Sequence, residues 1–221
     1  MQRGTGAMAL GGALLDRRSL IAGLALLGAL VPVRVLGTAR ATAAAEEVVR
    51  RLVDRLWRLL AEQGAGALDE QGLLAALEDG TDLTLLGRLV LGRYWRDANP
   101  RQRTMYLQLF RRYMVQTFAQ RLRQYVGNDP DQPGPVFVVV ASHAVGTMDI
   151  LVQSRVLPPG GQPLRVDWRL RERPEGPVVI DLIVEGISLL VTQRSEFAAV
   201  LERTGVDGLL SELNARLTQP T

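Results

Sequence analysis

The side chains able to do covalent or acid–base chemistry are few and badly spaced for it. There is no cysteine and a single histidine, His143, which removes disulfides, thiolate nucleophiles and thiolate metal sites. Ser142 and His143 are neighbours. On a strand, neighbouring side chains point to opposite faces, so this pair cannot act as nucleophile and base. His143 reads as an exposed turn residue. Asp149, Asp167 and Asp181 could converge as paired carboxylates, but spacing alone gives that little weight. Asp181 more simply makes structural hydrogen bonds near the Glu185-Gly186 turn. No glycine-rich loop is present that would cradle the phosphates of a nucleotide. No catalytic residue, metal ligand or cofactor is therefore expected, and a hydrolase is the lesser alternative.

All 26 bases are arginine, set against 23 acids, for a formal net charge of +3. The surplus sits at one end. Arg3, Arg17, Arg18, Arg34 and Arg40 precede residue 46 with Asp16 as the only acid, leaving 21 bases against 22 acids in the rest. A near-neutral body exerts no general pull on nucleic acid. The stretch Arg93 to Arg123 does interleave eight arginines with Tyr94, Trp95, Tyr106, Phe110 and Tyr113. The overall balance still argues against a nucleic-acid partner.

The amino-terminal segment has the order of an export signal: Arg17-Arg18, an apolar run from Leu20 to Val33, then small residues from Thr38 to Ala45. Asp-Arg-Arg-Ser-Leu-Ile resembles a twin-arginine signal without its usual Phe and Lys, and the export route stays open. Residues 1–45 are expected to be a signal peptide and 46–221 a single domain in the periplasm. Cleavage after Ala45 fits, with Ala41 and Ala43 as other ends. Pro32 and Arg34 leave the apolar run short of the roughly 20 residues that span a membrane.

The elements follow from periodicity. Val49, Leu52, Val53, Leu56, Leu59 and Leu60 recur at helical spacing from Glu46 to Gln63, ended by Gly64-Ala65-Gly66. A short helix covers Asp69 to Leu77 and breaks at Asp79-Gly80. Asp82 caps a helix through Leu83, Leu86, Leu89, Val90 and Trp95. Asn99-Pro100 opens the longest helix, Arg101 to about Tyr125, stopped by Gly127. Its broad apolar stripe includes Tyr106, Phe110, Met114 and Phe118, with Arg103, Arg111, Arg121 and Arg123 largely elsewhere. Beyond the Asn128 to Pro135 loop the texture turns to strands. These are Val136 to Ser142, Thr147 to Val156, Leu164 to Arg171 and Val178 to Val184. Leu164, Val166, Trp168 and Leu170 face one way and Arg165, Asp167, Arg169 and Arg171 the other, a sheet with one dry face. A helix follows from about Gln193. Helices, then an antiparallel twisted meander of four to five strands, then a closing helix is an α+β pattern.

Two segments carry a resemblance. One holds Val90, Leu91, Gly92, Trp95, Gln102, Phe110, Tyr113, Phe118, Leu122 and Tyr125, with Phe118 where a Tyr is common. The other holds Asp181, Glu185, Gly186, Ile187, Ser188, Arg194 and Phe197. In order and spacing they are similar to the hallmark positions of the periplasmic phospholipid-carrier family MlaC, also called the toluene-tolerance family. The likeness runs from about Leu83 to Leu213. It implies a lipid carrier of the outer-membrane lipid asymmetry type. The implied partners are an outer-membrane lipoprotein complex and an inner-membrane ABC transporter with a lipid-binding periplasmic subunit. A subgroup of the family is associated with hopanoids, so the cargo is a phospholipid or a hopanoid.

Enclosing two acyl tails of roughly 30 methylenes withholds about 25 kcal/mol of apolar exposure from water, which no shallow groove can do. The tails need an apolar pocket between the dry face and the helices. From the sheet, the candidate walls are Phe137, Val139, Met148, Ile150, Val152, Val166, Trp168, Ile180 and Leu182, with Ile187 beside the last turn. From the helices they are Leu89, Phe110, Met114 and Phe118. Arg165, Arg169, Arg171 and Arg173 form an arginine-rich rim that could meet head groups or acidic partners.

Overall fold

The computed structural model describes residues 33–63, 69–126, 135–158 and 161–218. The expectations for residues 1–32, Gly64 to Gly66, the Gly127 stop, the loop after it and the side chains of Arg123 and Tyr125 lie outside the described residues. The chain divides into two units, Met1–Leu36 and Gly37–Thr221. The fold that follows is that of the second.

Chain order is α1 (Val33–Gln63), α2 (Glu70–Gly80), α3 (Leu83–Leu91), α4 (Tyr94–Asp97) and α5 (Pro100–Val126). Then come β1 (Val136–Val145), β2 (Asp149–Leu157), β3 (Leu164–Arg171), β4 (Val178–Val184), β5 (Ile187–Ser188) and α6 (Leu189–Thr218). The five strands form one antiparallel sheet in the order β1-β2-β3-β4-β5, an α+β fold as expected. Among the described residues no helix is long and apolar enough to cross a membrane.

Helix starts are written locally. Asp69 caps α2, and Asp82 caps α3 by accepting the Leu85 N–H at 2.8 Å. At α5, Asn99 accepts from the Gln102 N–H and Gln102 accepts from the Asn99 N–H, both at 2.9 Å, a reciprocal capping box. Several boundaries differ from expectation, among them the start of α6 at Leu189 instead of about Gln193 and of β2 at Asp149 instead of Thr147. α1 begins at Val33 and, at 31 residues, exceeds the 27 of α5. The alanine-rich stretch before Glu46 favours helix, and Ala45 is fully buried, so the helix runs through the expected cleavage region. α3 stops at Leu91 because Gly92 takes φ 58. β1 extends through His143 to Val145, paired with Asp149, and Gly146 at φ 66 makes the turn. His143 is exposed as expected, but on a strand.

β3 sets the inner face. Val166, Trp168 and Leu170 are buried and pair with Ser154, Val152 and Ile150 of β2. The Ser154 hydroxyl accepts from the Trp168 indole N–H at 3.0 Å and donates to the Val166 carbonyl at 2.5 Å, so the buried polar atoms there are matched. In β4 a bulge leaves Ile180 without a partner, which turns both Val179 and Leu182 toward the inner face of β3.

Two apolar cores result. One lies between this inner face and α1, α2 and the later part of α5. The other joins α3, the earlier part of α5 and α6 around Tyr106, Phe110 and Phe197. The stripe on α5 thus serves two cores in succession. α6 breaks at Gly205 (φ 66), which lets Leu209, Leu210 and Leu213 join the second.

Candidate functional site

Among the described residues, the serine and aspartates singled out for chemistry are each engaged in separate contacts. Ser142 donates to Glu46 at 2.6 Å, and His143 points to the other face of β1. Asp181 accepts from the Ser188 hydroxyl at 2.5 Å and from the Leu190 N–H at 2.9 Å. Ser188 in turn accepts the Val191 N–H, so Asp181 and Ser188 together start α6. Glu185 (φ 49) and Gly186 (φ 83) form the two-residue hairpin from β4 to β5. The Glu185 carboxylate accepts from the Arg165 N–H at 2.5 Å, stitching the hairpin to β3.

Arg165, Arg169 and Arg171 lie on the outer face of the sheet and Arg173 in the turn after β3, and all four are held in ion pairs. Arg169 and Arg171 both hold Asp149, at 2.8 and 2.9 Å. Arg165 holds Asp167 at 2.5 Å and Arg173 holds Asp82. Burial works to raise the Asp149 carboxyl, but the hydrogen bonds and charges of Arg171 and Arg169 outweigh it and keep it below the usual carboxylate range.

What remains is apolar space. Between sheet and helices lie two cavities, of about 90 and 120 Å³. The first is walled by Leu77, Leu83, Leu86 and Val90 below, Met114, Thr117 and Phe118 on α5, and Val179, Ile180, Asp181 and Leu182 on β4. Leu189, Leu190 and Gln193 of α6 close it. The second is walled by Val53, Leu56 and Trp57 of α1, Leu122 of α5, and Val156, Leu164, Val166, Trp168 and Val184 of the sheet. Phe118, Arg121, Leu182 and Leu189 belong to both, so Phe118, Leu182 and Leu189 stand as an apolar partition with an arginine beside it. The acidic group in these walls, Asp181, is already bonded. The Trp57 indole N–H is buried in the second wall without a hydrogen-bond partner.

Of the expected wall residues, Met114, Phe118, Val166, Trp168, Ile180 and Leu182 lie on one cavity or both. Ile150 and Val152 are buried in the sheet core, and Phe137 and Val139 pack against it, Phe137 edge-on to Trp168 at 6.3 Å. Phe110 is fully buried in the second core, stacked near Tyr106 and pressed against Gly87. Leu89 is half-buried and touches neither cavity. Met148 and Ile187 are exposed, at 57% and 62%, because Met148 lies in the β1–β2 turn and Ile187 opens the short edge strand β5. Trp57, Leu86, Leu189 and Arg121 are walls the sequence reading passed over. Arg121, expected largely off the α5 stripe, follows Phe118 by three and Met114 by seven, the spacing of one helical face.

Of the positions that carry the family likeness, Val90, Phe118, Leu122 and Asp181 line the cavities and others build the frame. Gly92 is approached by the Arg194 guanidinium, Gln102 donates to Asp207 at 2.8 Å, and Tyr113 donates to Gln193 at 3.1 Å. Fold and site therefore define an α+β domain with a divided apolar interior beneath one antiparallel sheet. The chain belongs to the MlaC protein family, whose model matches residues 46–215. Among solved structures it is similar to a phospholipid-binding protein from Ralstonia solanacearum, determined in complex with a phospholipid. That match has a TM-score of 0.64 and 24% identity over 81% of this chain and 99% of the other.

Proposed function

We propose that this protein is a periplasmic carrier that encloses the acyl tails of a phospholipid and passes it between an outer-membrane lipoprotein complex and an inner-membrane ABC transporter. The observation that carries the reading is the pair of adjoining apolar cavities with a common wall, one for each tail of a diacyl lipid. Membership of the MlaC family and the phospholipid held by the Ralstonia relative support it. Residues 1–45 are the export signal in this reading, and the family match beginning at residue 46 is in keeping with it. In this reading the carrier equilibrates lipid and its partners set the direction.

Each cavity falls short of the roughly 300 Å³ at which ordinary ligand pockets begin. Loading must therefore part the helical cover from the sheet along Trp57 and Phe118. The decisive experiment is native mass spectrometry with solvent extraction of the purified protein. About one lipid per chain is expected, and its mass separates a glycerophospholipid from a hopanoid. A bare mass under gentle conditions, with no uptake from vesicles, would remove the reading. Val166→Asp, which puts a charge into the second cavity, should lower uptake far more than Arg169→Ala on the outer face.

A further inference from the structure

Most arginines near the sheet are spent. Arg165, Arg169, Arg171 and Arg173 each hold a carboxylate, and on α5 Arg111 holds Glu78. Arg121 differs. Its side chain is exposed, and among the described residues it has no ion pair or hydrogen bond. It is also the one charged group common to both cavities, set a single helical turn beyond the partition residue Phe118. A guanidinium left unpaired beside two apolar hollows stays hydrated on its exposed side and costs little there. It becomes an anion site when a ligand brings negative charge to the place where the hollows meet.

We infer that Arg121 is the group that receives the phosphate of the lipid, at the junction where its two tails part to either side of Phe118, Leu182 and Leu189. This rests on the carrier reading and deepens it. A diacyl glycerophospholipid branches into two tails a few bonds from its phosphate. Tails divided by the partition therefore bring the phosphate to the residue the cavities share. Asp181, the acidic wall residue, makes no ion pair with Arg121 and is instead held at the start of α6 by Ser188 and the Leu190 N–H. The guanidinium is thus a specificity determinant. It favours a two-tailed lipid carrying phosphate over one with identical tails and a neutral end.

The test measures transfer from vesicles doped with phosphatidylglycerol or with tail-matched diacylglycerol to the purified protein, read by native mass spectrometry. Wild type should take phosphatidylglycerol in preference. Arg121→Gln should lower that uptake about tenfold, the size of one charge-assisted hydrogen bond, and leave diacylglycerol uptake unchanged. Arg112→Gln, an exposed and unpaired arginine on the same helix but on neither cavity, should behave as wild type. Full phosphatidylglycerol uptake by Arg121→Gln, or an equal loss of both lipids, overturns the assignment. So does binding of inorganic phosphate that needs Arg121 while lipid uptake does not, which would give the site to the free ion. No uptake of any lipid by wild type sinks the carrier reading itself, a result separable from the others.

Discussion

Gly92 combines two constraints at one atom. Its φ of 58 is disfavoured for any residue with a side chain, and a Cβ there would lie 2.8 Å from the Arg194 guanidinium. Gly92→Ala should cost more than about 1 kcal/mol in urea denaturation. Adding Arg194→Ala should relieve the steric part and leave the backbone part. Trp57 presents the opposite case, a side chain with a donor it cannot use. Trp57→Phe removes the orphan N–H and keeps an aromatic wall. It should leave stability unchanged or raise it by up to about 1 kcal/mol, whereas Trp57→Ala should cost about 3 kcal/mol. A clear loss in Trp57→Phe would mean that the indole N–H has a partner. Gly92 was visible in the sequence as part of a motif, but its reason was not, because Arg194 lies about a hundred positions away and only packing brings the two together.

The elements were largely legible because their signals are local. Asp82 and the Asn99–Gln102 pair mark helix starts with side chains that satisfy N–H groups within three residues. The alternation of β3 assigned the faces of the sheet. It did not reveal that the outer face buries its acids. Asp149 and Asp167 are 6% and 3% exposed under their arginines; register across β2 and β3 brings Asp149 to Arg169 and Arg171, whereas Asp167 is held by Arg165 two positions back on its own strand. This gives a pH dependence of known sign. The Asp149 carboxyl is held below its ordinary value, so its contribution is complete above the unfolded value of about 3.9 and fades as pH falls through the lower folded value. Urea midpoints at pH 7 and near pH 3 should show wild type losing stability toward acid. Asp149→Asn should be less stable at pH 7, with the gap narrowing at pH 3. A gap that stays constant would show that the carboxylate charge plays no part.

For the whole molecule, cargo and stability are linked. A ligand that binds only the folded chain stabilises it by RT ln(1 + [L]/Kd), about 2.7 kcal/mol at a hundredfold excess over Kd. Lipid-loaded protein should therefore melt higher than the extracted protein, and refilling from vesicles should restore the difference. The cavities are narrow as they stand, so filling them moves helices away from the sheet. Loading should be slow beside diffusional encounter for that reason. Equal melting of loaded and stripped protein would mean that the lipid rests on the surface.

The order of elements, the α+β class and the dry face of the sheet were determined by the sequence itself, because caps, turns and periodicity act over a few residues. Tertiary structure alone decided which apolar side chains fill the core and which leave space. Phe110 and Phe118 are eight positions apart on one helix, yet the first is sealed in the second core and the second divides two cavities. A residue's type and spacing state that it will be buried. Whether its neighbours close around it depends on how whole helices meet the sheet, and no local pattern records that.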